Sequence, residues 1–231
     1  MSEFERLGEM EWVPDAEYRA AMRADEGDLE PFELPDPQLG PTELPTIATP
    51  AGWSLTPIGD RARGGVTEAD GNTLALAGGG QDIFGSRDEF LFLQCDDANG
   101  ELAVTIDAFD AAGQWAKAGV MIRASDAPDA PFALIHVFPS GRITMAARAE
   151  AGDAAVEQHL VEDGVGYPVR LVIRHGGGSV EVGYAANGEE LTWLTPPAQP
   201  TLGSTADVGI AITSNVPGRL AEANFQIERQ D

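Results

Sequence analysis

Trp115-Ala116-Lys117-Ala118-Gly119-Val120-Met121-Ile122-Arg123 is the stretch that decides the fold. Ala116, Ala118, Val120 and Ile122 fall on one face, while Trp115, Lys117, Met121 and Arg123 fall on the other, which is the two-residue period of a β-strand. The small and branched face needs a second layer to bury it. The other face carries a ring, a thioether and two cations and reads as solvent-facing or functional.

Working outward, strand patterns recur over 73–76, 90–94, 101–109, 114–123, 133–138, 142–148, 169–174, 180–184 and 208–213. Between them stand Asp70-Gly71, Asn99-Gly100, Ser140-Gly141, Gly176-Gly177-Gly178 and Asn187-Gly188, which are hairpin chemistry. No long amphipathic helical pattern interrupts them. Nine or more antiparallel strands predict an all-β sandwich. The Gly78-Gly79-Gly80 triplet does not open a helix after a strand, so it is a poor phosphate loop.

Composition fits one such domain over 51–231 with an appendage over 1–50. The 231 residues are 43% hydrophobic and carry a formal charge of −24, from 38 acids against thirteen Arg and the single Lys117. That surface repels nucleic-acid phosphates and anionic lipid, so neither is expected as a partner. Cys95 is alone and permits neither an intrachain disulfide nor a cysteine zinc site. Met1-Ser2-Glu3-Phe4 opens no apolar leader, and no run approaches the roughly 18 apolar residues of a membrane helix. The sequence as given predicts a cytoplasmic protein, or a secreted one if a leader has been removed.

Further segments carry a resemblance. Gly79-Gly80-Gln81-Asp82-Ile83-Phe84-Gly85 leads to Asp88, Phe90 and Phe92; Arg170-Leu171-Val172-Ile173-Arg174 precedes Tyr184, Asn187-Gly188 and Trp193; and Val208-Gly209-Ile210-Ala211-Ile212-Thr213-Ser214 closes the series. With the opening stretch, these resemble the concanavalin A-like domains found as stand-alone proteins of unassigned function and as accessory modules of bacterial polysaccharide-degrading enzymes. Phe84 stands where that pattern has Trp. The resemblance runs from about Gly52 to Ile227 and implies a two-sheet antiparallel jelly roll, often without catalysis, with a glycan or polysaccharide as ligand on the concave sheet.

If Val120, Ile122, Ile135, Val137, Ile143 and Met145 face the core, then Met121, Arg123, Leu134, His136, Phe138, Thr144 and Arg148 share the opposite face, with Trp115 and Lys117 near one end. A ring to stack on a sugar and several donors to read its hydroxyls make Trp115, Lys117, Arg123, His136 and Arg148 the candidate ligand-binding residues. The plainer alternative is a set of ordinary ion pairs or a face covered by the arm.

Catalysis has less support. A retaining glycosidase needs two carboxylates about 5 Å apart, and Glu-x-Asp-x-x-Glu is absent; Asp107 and Asp110, three apart in a strand, point to opposite faces. His136, His159 and His175 follow no metal-ligand spacing. Asp96-Asp97-Ala98-Asn99-Gly100-Glu101 lacks the EF-hand ligand series and reads as a hairpin turn, with structural calcium left open and no other cofactor expected.

The first fifty residues hold thirteen acids, three Arg and seven prolines. Pro14 suits the start of a short helix through about Ala24, and the prolines from 31 to 50 impose an extended backbone. This acidic arm is either a linker or, through Trp12, Tyr18, Met22, Phe32 and Leu34, a segment that docks on its own domain or on a protein partner. Three functions therefore remain: a non-catalytic lectin-like accessory domain, an assembly subunit acting through the arm, and a polysaccharide-active hydrolase or lyase.

Overall fold

The computed structural model describes residues 46–95, 100–186, 188–203 and 206–228. Among them are fifteen strands and no helix: β1 (Trp53–Ile58), β2 (Arg63–Asp70), β3 (Thr73–Gly79), β4 (Asp82–Phe84), β5 (Arg87–Cys95), β6 (Glu101–Asp110), β7 (Lys117–Arg123), β8 (Phe132–Val137), β9 (Ile143–Arg148), β10 (Val156–Val161), β11 (Val169–Gly176), β12 (Ser179–Ala186), β13 (Thr192–Leu194), β14 (Asp207–Thr213) and β15 (Ala221–Glu228). The first sheet runs β1-β5-β14-β7-β8-β9-β10, with β4 on β5, and the second runs β13-β12-β11-β6-β15-β3-β2. All pairings are antiparallel, so the chain is a two-sheet jelly-roll sandwich.

Alternation builds the core as expected. Ala116, Ala118, Val120, Ile122, Ile135, Val137, Ile143 and Met145 all enter the buried cluster between the sheets, facing Val104, Leu171, Ile173 and Phe225 of the second. Two-residue turns close β2–β3 at Gly71-Asn72 and β11–β12 at Gly177-Gly178, whose φ values of 62° and 85° suit a turn that matches strand twist. Ser140-Gly141 joins the paired β8 and β9, and β12 pairs with β13 around the Asn187-Gly188 signal.

Four expectations are corrected. The strand of the opening stretch begins at Lys117; Trp115 lies in a turn closed by the Ala116 amide on the Gly113 carbonyl. The Asn99-Gly100 signal does not join a hairpin, because β5 and β6 belong to different sheets; Asp96 to Asn99 themselves lie outside the described residues. Asp107 and Asp110 do not obey simple alternation, since a bulge in β6 opposite Asn224 and Phe225 puts both Ile106 and Phe109 in the core. Asp107 is half-buried and accepts from Gln226 Nε2 at 2.8 Å, while Asp110 is exposed. The fourth concerns the face opposite the core.

The helix over Pro14–Ala24 and the residues Trp12, Tyr18, Met22, Phe32 and Leu34 lie outside the described residues. The arm's last residues are described: Ile47 donates its amide to the Val66 carbonyl at 2.9 Å, continuing hydrogen bonding along the β2 edge. Cys95 is half-buried, as its place at the end of an apolar strand predicts.

Candidate functional site

Register aligns the face of the first sheet turned away from the sandwich core. Gly119 of β7 pairs with His136 of β8, His136 with Thr144 of β9, and Thr144 with His159 of β10. One step along, Met121, Leu134, Ala146 and Glu157 form the next row. Arg123, Phe132 and Arg148 form a third. Met121, Arg123, Leu134, His136, Thr144 and Arg148 thus do share a face.

That face is not open, and this corrects the reading of it as solvent-facing. Arg123, His136 and Arg148 are 0% exposed and Lys117 is 3% exposed. A second apolar cluster of Ile58, Ile83, Phe90, Phe92, Met121, Phe132, Leu134 and Ala155 fills it. The alternation of a strand states which side a residue takes, but not what loop folds over that side.

Two arginines fasten the cover. Arg148 makes a bidentate pair with Asp88, Nη1 to Oδ2 and Nη2 to Oδ1, both at 2.8 Å. It also donates to the carbonyls of Asp153, Ala130 and Gly85 at 2.9, 3.0 and 2.9 Å. Arg123 donates to the carbonyls of Ser125 and Ala127, both at 2.6 Å. Their guanidinium planes lie over Phe132 and Phe90 with centroids at 4.9 and 5.1 Å. Burial pushes the Asp88 carboxyl up from its ordinary range, against the pull of Arg148, and burial likewise lowers Arg123. These two arginines hold the β4–β5 hairpin and the 124–131 and 149–155 loops over the sheet.

The other end of the face is different. Lys117 is ion-paired with Asp82, and its Nζ stands 3.9 Å from Glu157 Oε1, with the Phe84 and Phe138 ring centroids 6.0 and 5.8 Å away. Phe84 and Trp115 are each 45% exposed. Trp115 meets Phe138 edge to face at 5.6 Å and 81°, and the Arg142 guanidinium lies 5.5 and 5.2 Å from those two rings. His136 packs edge to face on Phe138 at 4.9 Å, and neither of its ring nitrogens has a hydrogen-bond partner. Burial, reinforced by the charge of Lys117, holds its pKa well below the ordinary imidazole value, so the ring is neutral at pH 7. Thr144 Oγ1 and His159 Nδ1 are 3.0 Å apart.

The structure therefore brings Trp115, Lys117 and His136 together at one end and places Arg123 and Arg148 in a buried staple at the other. Sequence reasoning missed Phe84, Asp82, Glu157 and Arg142 as neighbours of Lys117. Asp82 and Phe84 stood within the Gly-rich segment quoted for the resemblance; Glu157 and Arg142 gave no signal. Among the described residues no cluster of three His, Cys, Asp or Glu could hold a metal ion.

The backbone resembles known structures. A functionally unknown protein from Saccharomyces cerevisiae superposes with a TM-score of 0.57 at 12% identity, over 78% of this chain and 97% of that one. A Bacillus licheniformis β-glucanase superposes with a TM-score of 0.50 at 10% identity, over 80% of this chain and 94% of the enzyme. The fold is concanavalin A-like. At these identities the likeness carries the architecture alone. No family model matches the sequence, and no curated protein matches it. Within this concanavalin A-like sandwich, the aromatic end of the first sheet's outer face gathers apolar ring surface, two cations, Lys117 and Arg142, and two carboxylates, Asp82 and Glu157.

Proposed function

We propose that this protein is a non-catalytic, lectin-like glycan-binding domain whose ligand meets the end of the first sheet at the exposed rings of Trp115 and Phe84, with the buried Lys117 beneath them. The observation that carries the reading is the pair of half-exposed rings, Phe84 and Trp115, set about the ion pair of a buried Lys117 with a half-buried Asp82. A pyranose presents C–H surface on its faces and hydroxyls around its rim. Exposed rings stack on the first, while fixed charges exchange hydrogen bonds with the second. His136 lies behind this surface as a neutral, preformed support. The fold's occurrence in a β-glucanase agrees with a saccharide ligand. Arg123 and Arg148 drop out of the ligand set because both are fully buried beneath the covering loops.

The test is a screen of the full chain against immobilised polysaccharides and an oligosaccharide array, followed by titration of any binder. Phe84→Ala and Trp115→Ala should each weaken binding by about 2- to 10-fold, the range of a single ring contact, with melting little changed for two half-exposed side chains. Unaltered affinity in both variants would remove the ligand from this surface.

One observation favours a second reading. Asp82 and Glu157 converge on the same ammonium, so a hydrolase or lyase would have its carboxylates there. Release of reducing or unsaturated ends from a bound polysaccharide, lost in Glu157→Gln, would select it. The protein-binding role of the arm rests on its apolar residues Trp12, Tyr18, Met22, Phe32 and Leu34.

A further inference from the structure

Away from the aromatic end, the start of β2 and the β14–β15 turn enclose a pocket of about 420 Å³ lined by Arg61, Arg63 and Arg219. Three arginines lining one hollow are conspicuous in a chain with fourteen Lys and Arg against 38 acids. Asp60 is the one acid lining the pocket. None of the three arginines forms an ion pair with a described residue. Arg63 Nη2 is buried and has no hydrogen-bond partner. A desolvated guanidinium N–H without an acceptor is costly, and an oxyanion repays that cost with charge-assisted, bidentate geometry.

The walls are fixed before any ligand arrives. Arg63 pairs across the ladder with Gly79, where a Cβ would stand 2.7 Å from the Arg219 carbonyl oxygen, so glycine is what lets the backbone of Arg219 come this close to the strand that pairs with Arg63. The turn carrying Arg219 is tied to the β3–β4 link by Asn215 Nδ2 on the Gln81 carbonyl at 2.7 Å and Ser214 Oγ on the Gly80 carbonyl at 3.4 Å. The Arg219 amide donates back to Val216 at 3.1 Å. At physiological salt, charges beyond about 8 Å are screened, so a small anion at this spot responds to the three local guanidiniums more than to the distant acids. A long polyanion lying across the acidic surface does not have that advantage.

We propose that the Arg61–Arg63–Arg219 pocket binds the oxyanion of a small ligand: a carboxylate, sulfate or phosphate group. Its volume falls in the range of small-molecule sites. It shares Asp60 and Gln81 with an adjoining hollow of about 450 Å³ that reaches Asp82 and Phe84. The proposal stands independently of the glycan-binding reading, since it rests on other residues.

The test follows the arginine side-chain Nε–Hε NMR signals of the full chain during titration with sodium glucuronate, sodium sulfate or sodium phosphate, each against sodium chloride at equal ionic strength. Arg63 and Arg219 should shift saturably with at least one oxyanion and not with chloride. Glucuronate alone would identify a carboxylate ligand, and sulfate or phosphate alone a tetrahedral one. Arg63→Gln, and independently Arg219→Gln, should weaken that binding at least tenfold while both proteins keep the wild-type amide spectrum elsewhere. Shifts no larger than those with chloride for all three anions, or undiminished affinity in both variants, would overturn the proposal; the second variant guards against a folding defect in the first.

Discussion

Arg148 and Asp88 are both fully buried and exchange two parallel hydrogen bonds, with three carbonyls completing the guanidinium's coordination. Removing one partner leaves a charge in the interior without its counterion, which costs about 3–5 kcal/mol. Asp88→Asn should therefore lower the melting temperature by roughly 10 °C in a domain of this size. The double variant Asp88→Leu with Arg148→Met should recover much of that loss, because replacing a whole buried pair by apolar groups is far cheaper than breaking it. A thermal double-mutant cycle over Asp88→Leu, Arg148→Met and their combination reads the coupling directly, and near-additive losses would show that the pair is not the staple. His136 provides a second residue-scale prediction, with its sign fixed by burial. Its folded pKa lies well below the ordinary value, so as pH falls below about 6.5 the unfolded chain takes up a proton that the folded chain refuses. Stability then drops by up to about 1.4 kcal/mol per pH unit. His136→Leu removes this contribution; urea midpoints at pH 7.5 and 5.5 should converge in the variant relative to the native protein.

Among elements, the β7–β8 pair depends on Gly119. A Cβ there would lie 2.8 Å from His136 Cβ and 2.0 Å from the Ile135 carbonyl oxygen, so Gly119→Ala must push the two strands apart. A loss of about 1–3 kcal/mol is expected from such overpacking. Gly176→Ala, where nothing lies within 4 Å, should stay within about 0.5 kcal/mol in the same denaturation assay. The strands with strong apolar alternation, β3, β5, β6, β7, β8, β9, β11, β12 and β14, were legible because each buries a branched face against the opposite sheet. The unread ones lack that contrast. In β15 two of the three buried alternate positions are Ala221 and Ala223, although the strand lies centrally between β6 and β3. β10 is an exposed edge strand reading Val-Glu-Gln-His-Leu-Val, and β4 and β13 have three residues each. The candidate site was legible to the same depth. Side chains could be assigned to a face, so Lys117 and His136 were found together; the cover over Arg123 and Arg148 comes from loops contacting distant strands, which no local period encodes.

At the scale of the whole molecule, the cations that pair among the described residues are locked locally. Lys117 and Arg148 hold Asp82 and Asp88, while Arg170 and Arg174 hold Glu228 and Glu181. Residues 51–231 carry 25 acids against eleven Lys and Arg, a formal charge of −14, and in the folded sandwich these like charges are closer together than in the unfolded chain. Self-repulsion therefore favours unfolding, and salt should relieve it. Salt also weakens exposed pairs such as Arg170–Glu228 and Arg174–Glu181, but each is worth about 0–1 kcal/mol, too little to offset fourteen unbalanced negative charges on residues 51–231. Raising sodium chloride from 0.02 to 0.5 M shortens the screening length to below about 10 Å. The melting temperature should rise by several degrees, with most of the gain complete once the ions screen neighbouring surface acids. Differential scanning calorimetry across that series distinguishes this from a general salting-out effect, which would keep climbing with concentration. A melting temperature that falls over the same range would mean that ion pairs, rather than repulsion, dominate the surface of this fold.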